Sequence, residues 1–281
     1  MASESRRPEG ALVFAVVSGS AQAKRHLALL CRDLARTLGR EVTPKVLPSY
    51  AALPKWMESG GAHVAWAPPL VAIDLSRTHD DGKPAIASLA LCCTRSGDTG
   101  YHAAIFTRHS SKIATLADLE GAHMAWVDTS SSAGYLVPRM RIAAAGLDPA
   151  KLFGRQSFLG SHERVACAVL EGDADAGATY LSLDPATGQP MSAGWLEAGA
   201  GINGAFLIDT AGPIPSDALV LSNRLSEETR AKVTEALLAL PAIAPDPVGA
   251  LFRADGFAPA ERSRYDELAK MADALRKSSA A

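Results

Sequence analysis

The chain has 281 residues, of which 48% are hydrophobic and 21% charged, with a formal net charge of −2. That length suits two lobes of ordinary domain size better than one core, and the composition is that of a folded globular chain. No basic excess exists to neutralise a nucleic-acid backbone, and no apolar run approaches the roughly 20 residues of a membrane helix, so nucleic-acid binding and membrane insertion are set aside.

The first ten residues are polar and charged. The next run, Ala11–Val17, is apolar, short and alternating like a strand, so it reads as the first strand rather than a secretion signal. Neither a cleaved leader nor a lipid-attachment cysteine is visible. The expected location is therefore periplasmic if a leader has been removed, and cytoplasmic otherwise. Ala21–Leu38 has helical spacing, with Leu27, Leu30, Leu34 and Leu38 on one face and Gly39 as the stop. Val42–Leu47 reads as a strand, Tyr50–Ser59 as a short helix stopped by Gly60-Gly61, and His63–Ala67 as a third strand. Pro68-Pro69 breaks it before a helix over Leu70–Ser76, and Ile86–Cys93 is a further strand. This βαβα rhythm predicts a mixed, mostly parallel sheet flanked by helices.

The rhythm restarts at Asp98-Thr99-Gly100. Tyr101–Thr107 and His123–Val127 read as strands, Leu116–Leu119 as a helical turn, and Tyr135–Ala145 as a helix ended by Gly146. Val165–Glu171 is a helix and Ala174–Thr179 a short buried strand. After Gly212-Pro213-Ile214-Pro215 come a strand, Ala218–Leu221, and helices over Glu227–Leu240, Pro247–Ala254 and Pro259–Ser278. A central unit inserted between two flanking pieces gives two α/β lobes: 11–98 with 213–281, and 99–212. The chain is expected to cross near 97–101 and 208–214, with a ligand cleft at the lobe interface.

The strongest chemical signal is Asp128-Thr129-Ser130-Ser131-Ser132-Ala133-Gly134-Tyr135, between a strand and a helix. A helix start offers unpaired N–H groups and the positive end of the dipole, and Gly134 allows close approach. One serine suffices for an N-cap; four consecutive hydroxyl residues exceed that need and suit an anion. Gly160-Ser161-His162-Glu163 also precedes a helix: Ser161 can cap it, and His162 can donate to an anion or simply be satisfied at a helix start. Tyr50, in Pro48-Ser49-Tyr50 at a strand-to-helix handover, offers an aromatic wall with a hydroxyl. Tyr101 stands at the first crossing, and Asp184 comes after a strand end, where it would meet an amine or remain a loop residue.

No Gly-x-Ser-x-Gly elbow, Walker loop, dinucleotide fingerprint or His-Glu-x-x-His is present. No cofactor or metal is expected, and Cys31, Cys92, Cys93 and Cys167 match no zinc or redox spacing and read as buried thiols.

The chain resembles the periplasmic solute-binding proteins of phosphate/phosphite/phosphonate ABC transporters, which have the type II periplasmic binding fold. The resemblance runs from about residue 11 to about 250. It is carried by Tyr50, Val64–Pro69, Gly100-Tyr101, Leu116-x-x-Leu119-x-Gly121, Asp128 through Gly134-Tyr135-Leu136-Val137-Pro138, Gly146-Leu147-Asp148, Gly160-Ser161-His162 and Gly172-x-x-Asp175-Ala176-Gly177. It implies a non-enzymatic protein that closes on a small oxyanion, with the permease of an ABC transporter as partner. Ser131, Ser132 and Ala133 would hold the oxygens, and His162 with Tyr50 or Tyr101 would close over them. Ala133 replaces a hydroxyl residue common in the family. A cytoplasmic sensor or partner-binding module on the same fold is the alternative, and an enzyme on a two-lobed frame a more distant one.

Overall fold

The computed structural model describes residues 10–18, 21–78, 82, 84–184 and 186–279. In chain order the strands are β1 (Leu12–Val17), β2 (Val42–Leu47), β3 (Val64–Ala67), β4 (Ala87–Thr94), β5 (Gly100–Thr107), β6 (His123–Trp126), β7 (Arg155–Phe158), β8 (Ala176–Leu183), β9 (Pro190–Ala193), β10 (Phe206–Pro215), β11 (Ala218–Ser222) and β12 (Gly256–Pro259). The helices are α1 (Ala21–Leu38), α2 (Ala52–Glu58), α3 (Pro69–Ser76), α4 (Val137–Ala144), α5 (His162–Glu171), α6 (Gly194–Glu197), α7 (Glu227–Ile243), α8 (Pro245–Phe252) and α9 (Arg262–Ser279). No single helix among the described residues is long and apolar enough to cross a membrane.

The chain forms two compact units. One takes the chain up to Ala67, then Val71–Thr99 and Asp217–Ala260; the other takes Pro68–Leu70, Gly100–Ser216 and the chain from Glu261 on. In the first unit the strand order is β12-β4-β11-β3-β1-β2. β1 is parallel to β2 and β3, while β11 and β12 return antiparallel. Leu12, Phe14, Ala15 and Val16 of β1 are all buried, as expected of a strand covered on both faces. The leucine stripe of α1 does what its spacing predicts: Leu27, Leu30 and Leu34 are fully buried, each worth about 1.5–3 kcal/mol. Phe14 stacks on Phe252 of α8 at 6.2 Å. Burial raises the thiols of Cys31, to about 12, and of Cys93, so both stay protonated.

The second unit holds the order β10-β5-β8-β6-β7, with β9 on β8. β6 runs parallel to β7 and β8, and β5 runs antiparallel to β8 and β10. Alternation divides its core in two. Ala104, Phe106, Ala125 and Leu181 pack with Val165 and Val169 of α5. Ile105, Met124, Trp126, Ala176 and Ala178 pack on the opposite face with Ile142 of α4. Leu181 pairs with both His102 and Ala193, which places β9 on the same side of β8 as β6.

Both sheets are mixed α/β layers. The local rhythm accounts for the parallel pairs; the antiparallel ones come from strands that return from far along the chain, except for the local hairpin of β8 and β9. The last helix departs from the sequence expectation, which kept 213–281 in the first lobe. α9 packs against β10 and α4 of the second unit, and the buried Tyr265 hydroxyl donates to Ser216 O at 2.6 Å. Four strands escape the sequence patterns: β7 is polar, β9 and β12 are short and contain Pro, and β10 carries Gly212 and Pro213 within its run.

Candidate functional site

The serine tract leaves the C-terminal end of β6. Asp128 closes the first turn: Ser131 N–H donates to its carbonyl at 3.0 Å, and Ser130 N–H donates to its carboxylate at 2.8 Å. The Ser130 hydroxyl donates to the same carboxylate oxygen. Ser131 is extended and caps the next turn of chain, its Oγ accepting from Gly134 N–H at 3.0 Å. Leu136 N–H donates to Ser131 O at 3.0 Å, a span of five residues, so the helix opens with a wide π-type turn over Ser132–Leu136 before α4. It thus starts at Ser132 rather than Tyr135. Gly134 is required by contact: a Cβ there would lie 2.4 Å from Val127 Cγ2 and 2.8 Å from Ser131 Oγ.

The hydroxyls of the tract have different fates. Ser130 is held by Asp128, Ser131 caps the turn, and Thr129 is exposed. Ser132 is 3% exposed, and its Oγ has no hydrogen-bond partner. A buried unpaired hydroxyl costs about 1–3 kcal/mol, so its presence calls for a reason. Ala133 is equally buried and offers only its backbone.

The second helix start lies beside the first. β7 pairs with β6 in parallel, and beyond their ends Leu159 N–H donates to Trp126 O at 2.9 Å and Gly160 N–H to Val127 O at 2.8 Å. Ser161 caps α5, its Oγ accepting from Arg164 N–H at 3.2 Å. His162 opens that helix; its Nδ1 lies 3.0 Å from the hydroxyl of the buried Thr179, and its ring meets Tyr180 edge-on at 5.0 Å. The Tyr180 hydroxyl donates to Glu197. α4 and α5 cover opposite faces of the sheet yet begin at one strand edge. Two positive helix ends therefore share an edge, the arrangement that favours an anion. The Arg139 guanidinium of α4 is buried, 5.1 Å over the Tyr135 ring, and donates to Pro149 O at 2.9 Å.

The structure thus brings Ser130–Ala133 and Ser161–His162 together. Tyr101 belongs to the same unit, half-buried on β5 and paired with Ile214 of β10. Tyr50 belongs to the first unit, in the turn between β2 and α2, with its ring 6.2 Å from Trp66. Asp184 closes the turn after β8: its Oδ1 accepts from Ala186 N–H at 2.8 Å and Thr187 N–H at 2.9 Å. The Thr187 and Ala186 amides hold that carboxyl below the usual carboxylate range. Sequence reasoning passed over Thr179, which meets His162, and the rest of β8 beyond it; an apolar strand with scattered hydroxyls gave little to read. Among the described residues no group of three His, Cys, Asp or Glu could hold a metal ion.

The sequence profile of the family described as "ABC transporter, phosphonate, periplasmic substrate-binding protein" matches residues 13–265. Among solved structures, a protein from Xanthomonas citri bound to ATP superposes with a TM-score of 0.76 at 19% identity, over 96% of this chain and 99% of that one. A binding protein component of an ABC phosphonate transporter from Pseudomonas aeruginosa gives 0.72 at 23% identity, over 93% and 85%. PhnD1 of Prochlorococcus marinus in complex with methylphosphonate gives 0.71 at 18% identity, over 95% and 98%. These likenesses establish the type II periplasmic binding fold. The family consists of solute-binding proteins rather than enzymes. With its profile matched across nearly the whole chain, this protein belongs to the periplasmic substrate-binding family of phosphonate ABC transporters.

Proposed function

We propose that this protein captures a small tetrahedral phosphorus oxyanion (a phosphonate, phosphite or phosphate) at the paired helix starts and presents it to the permease of an ABC transporter in the periplasm. The observation that carries this reading is the Ser132 hydroxyl, buried and unpaired at a helix start whose cap is already provided by Ser131. A bound oxyanion would satisfy it, together with the backbone N–H groups of Ser132 and Ala133. His162, with its Nδ1 side on Thr179, contributes from the neighbouring helix start, and Ser161 and Ser130 keep the two loops in shape. Tyr50 or Tyr101 closes over the ligand. The Asp184 carboxylate stays with its turn. Support also comes from the relatives, since both methylphosphonate and ATP present phosphorus oxyanions.

The chemistry is recognition without turnover. Donors fixed by the fold meet acceptors on the ligand, and a ligand that leaves one unmatched loses about 1–3 kcal/mol. Closure then selects the matched ligand by its differential affinity for the closed form. Calorimetry of the protein against methylphosphonate, phosphite, phosphate and sulfate tests this. A phosphorus oxyanion should bind, and Ser132→Ala should weaken it about tenfold or more, the value of a charged hydrogen bond. Absence of binding by all four at millimolar concentration overturns the oxyanion reading.

A further inference from the structure

β8 carries a second buried hydroxyl without a partner. Ser182 is 7% exposed, and its Oγ makes no hydrogen bond. Leu181 and Leu183 on either side pack into the core shared with α5, so the pleat turns Ser182 to the opposite face. That is the face of Ala176 and Ala178, where Tyr135 of the wide turn also packs. The turn that bears Ser132 lies against β8 and β5. On β5 the pairing of His102 with Leu181 sets Tyr101 opposite Ser182. Two orphan hydroxyls thus lie on elements packed against each other, and neither satisfies the other.

We infer that Ser182 is a specificity-determining contact of the oxyanion site, its hydroxyl donating to the ligand's fourth substituent. The inference rests on the functional reading above. A tetrahedral anion whose three oxygens meet the helix-start donors turns its remaining corner away from them, and a donor on the strand beneath reads that corner. An oxygen there satisfies Ser182. A methyl group or a hydrogen leaves it buried and unpaired, which counts against that ligand. The preferred ligand class is therefore an oxyanion whose fourth substituent accepts a hydrogen bond.

Calorimetry of the full chain and its Ser182→Ala variant with phosphate and with methylphosphonate tests this, alongside urea midpoints of both proteins without ligand. Wild type should prefer phosphate. Ser182→Ala should weaken phosphate about tenfold and methylphosphonate less than about twofold, while the unliganded variant is no less stable, since it removes an unpaired buried hydroxyl. Unchanged phosphate affinity, an equal loss for the two anions, or a loss of unliganded stability overturns the inference while leaving the oxyanion reading intact. A wild type that binds neither anion removes the inference, and the oxyanion reading falls with it only if phosphite and sulfate also fail to bind.

Discussion

The two helix starts of the second unit invite comparison, because they share a strand edge and a capping device yet differ in what remains unpaired. At α5 the Ser161 and His162 side chains both have partners: Ser161 receives the Arg164 amide, and the His162 ring meets Thr179 and Tyr180. The wide turn before α4 is different. Ser131 receives the Gly134 amide, Ser130 turns back to Asp128, and the Ser132 hydroxyl remains. Polar atoms at a helix start are ordinarily evidence only of a helix start. A buried atom in surplus of what the backbone needs is what separates a recognition site from a cap.

The glycines offer the largest test of that contrast. Gly134→Ala drives a methyl against Val127 and Ser131 and should cost about 3 kcal/mol, with loss of anion binding. Gly160→Ala meets open space at φ +82 and should cost only about 1 kcal/mol of backbone strain. Urea denaturation and calorimetry of the pair decide it; equal costs would mean the first loop is no more tightly built than the second. The caps come next. Ser131→Ala and Ser161→Ala should each lose about 1 kcal/mol of stability, whereas Ser132→Ala should lose none. If Ser132→Ala destabilises like a cap, its hydroxyl is an ordinary structural group and the contrast fails. Asp184 supplies the smallest effect. Its depressed carboxyl contributes stability that is complete above the ordinary carboxylate range and is lost as pH falls through its lowered value. Asp184→Asn should therefore slightly flatten the acid side of the stability profile, tracked by urea midpoints against pH, and leave anion affinity unchanged.

Legibility obeyed the same physics. The α1 leucines and the buried β1 run announce themselves because a single periodicity governs many residues. The serine tract was legible because four hydroxyls in a row exceed a cap, and Ser161 because a lone serine before a helix has one obvious task. The edge strand Arg155–Phe158 has no apolar period, and β10 hides behind its Gly-Pro pair; both are strands because of their neighbours. Ser182 was invisible because the apolar run was read as ending at Thr179, while pairing with β5 and β9 carries the strand on to Leu183. The destination of α9 was hidden too, since an amphipathic helix does not say which sheet it will cover.

That destination bears on what holds the second unit together. A Cβ on Gly100 would lie 2.7 Å from Arg264 Nη2, and Tyr265 secures Ser216, so α9 buttresses strands that come far earlier in the sequence. Shortening the chain to remove α9 should therefore loosen the unit that bears the serine tract, although the tract lies more than a hundred residues earlier in the sequence.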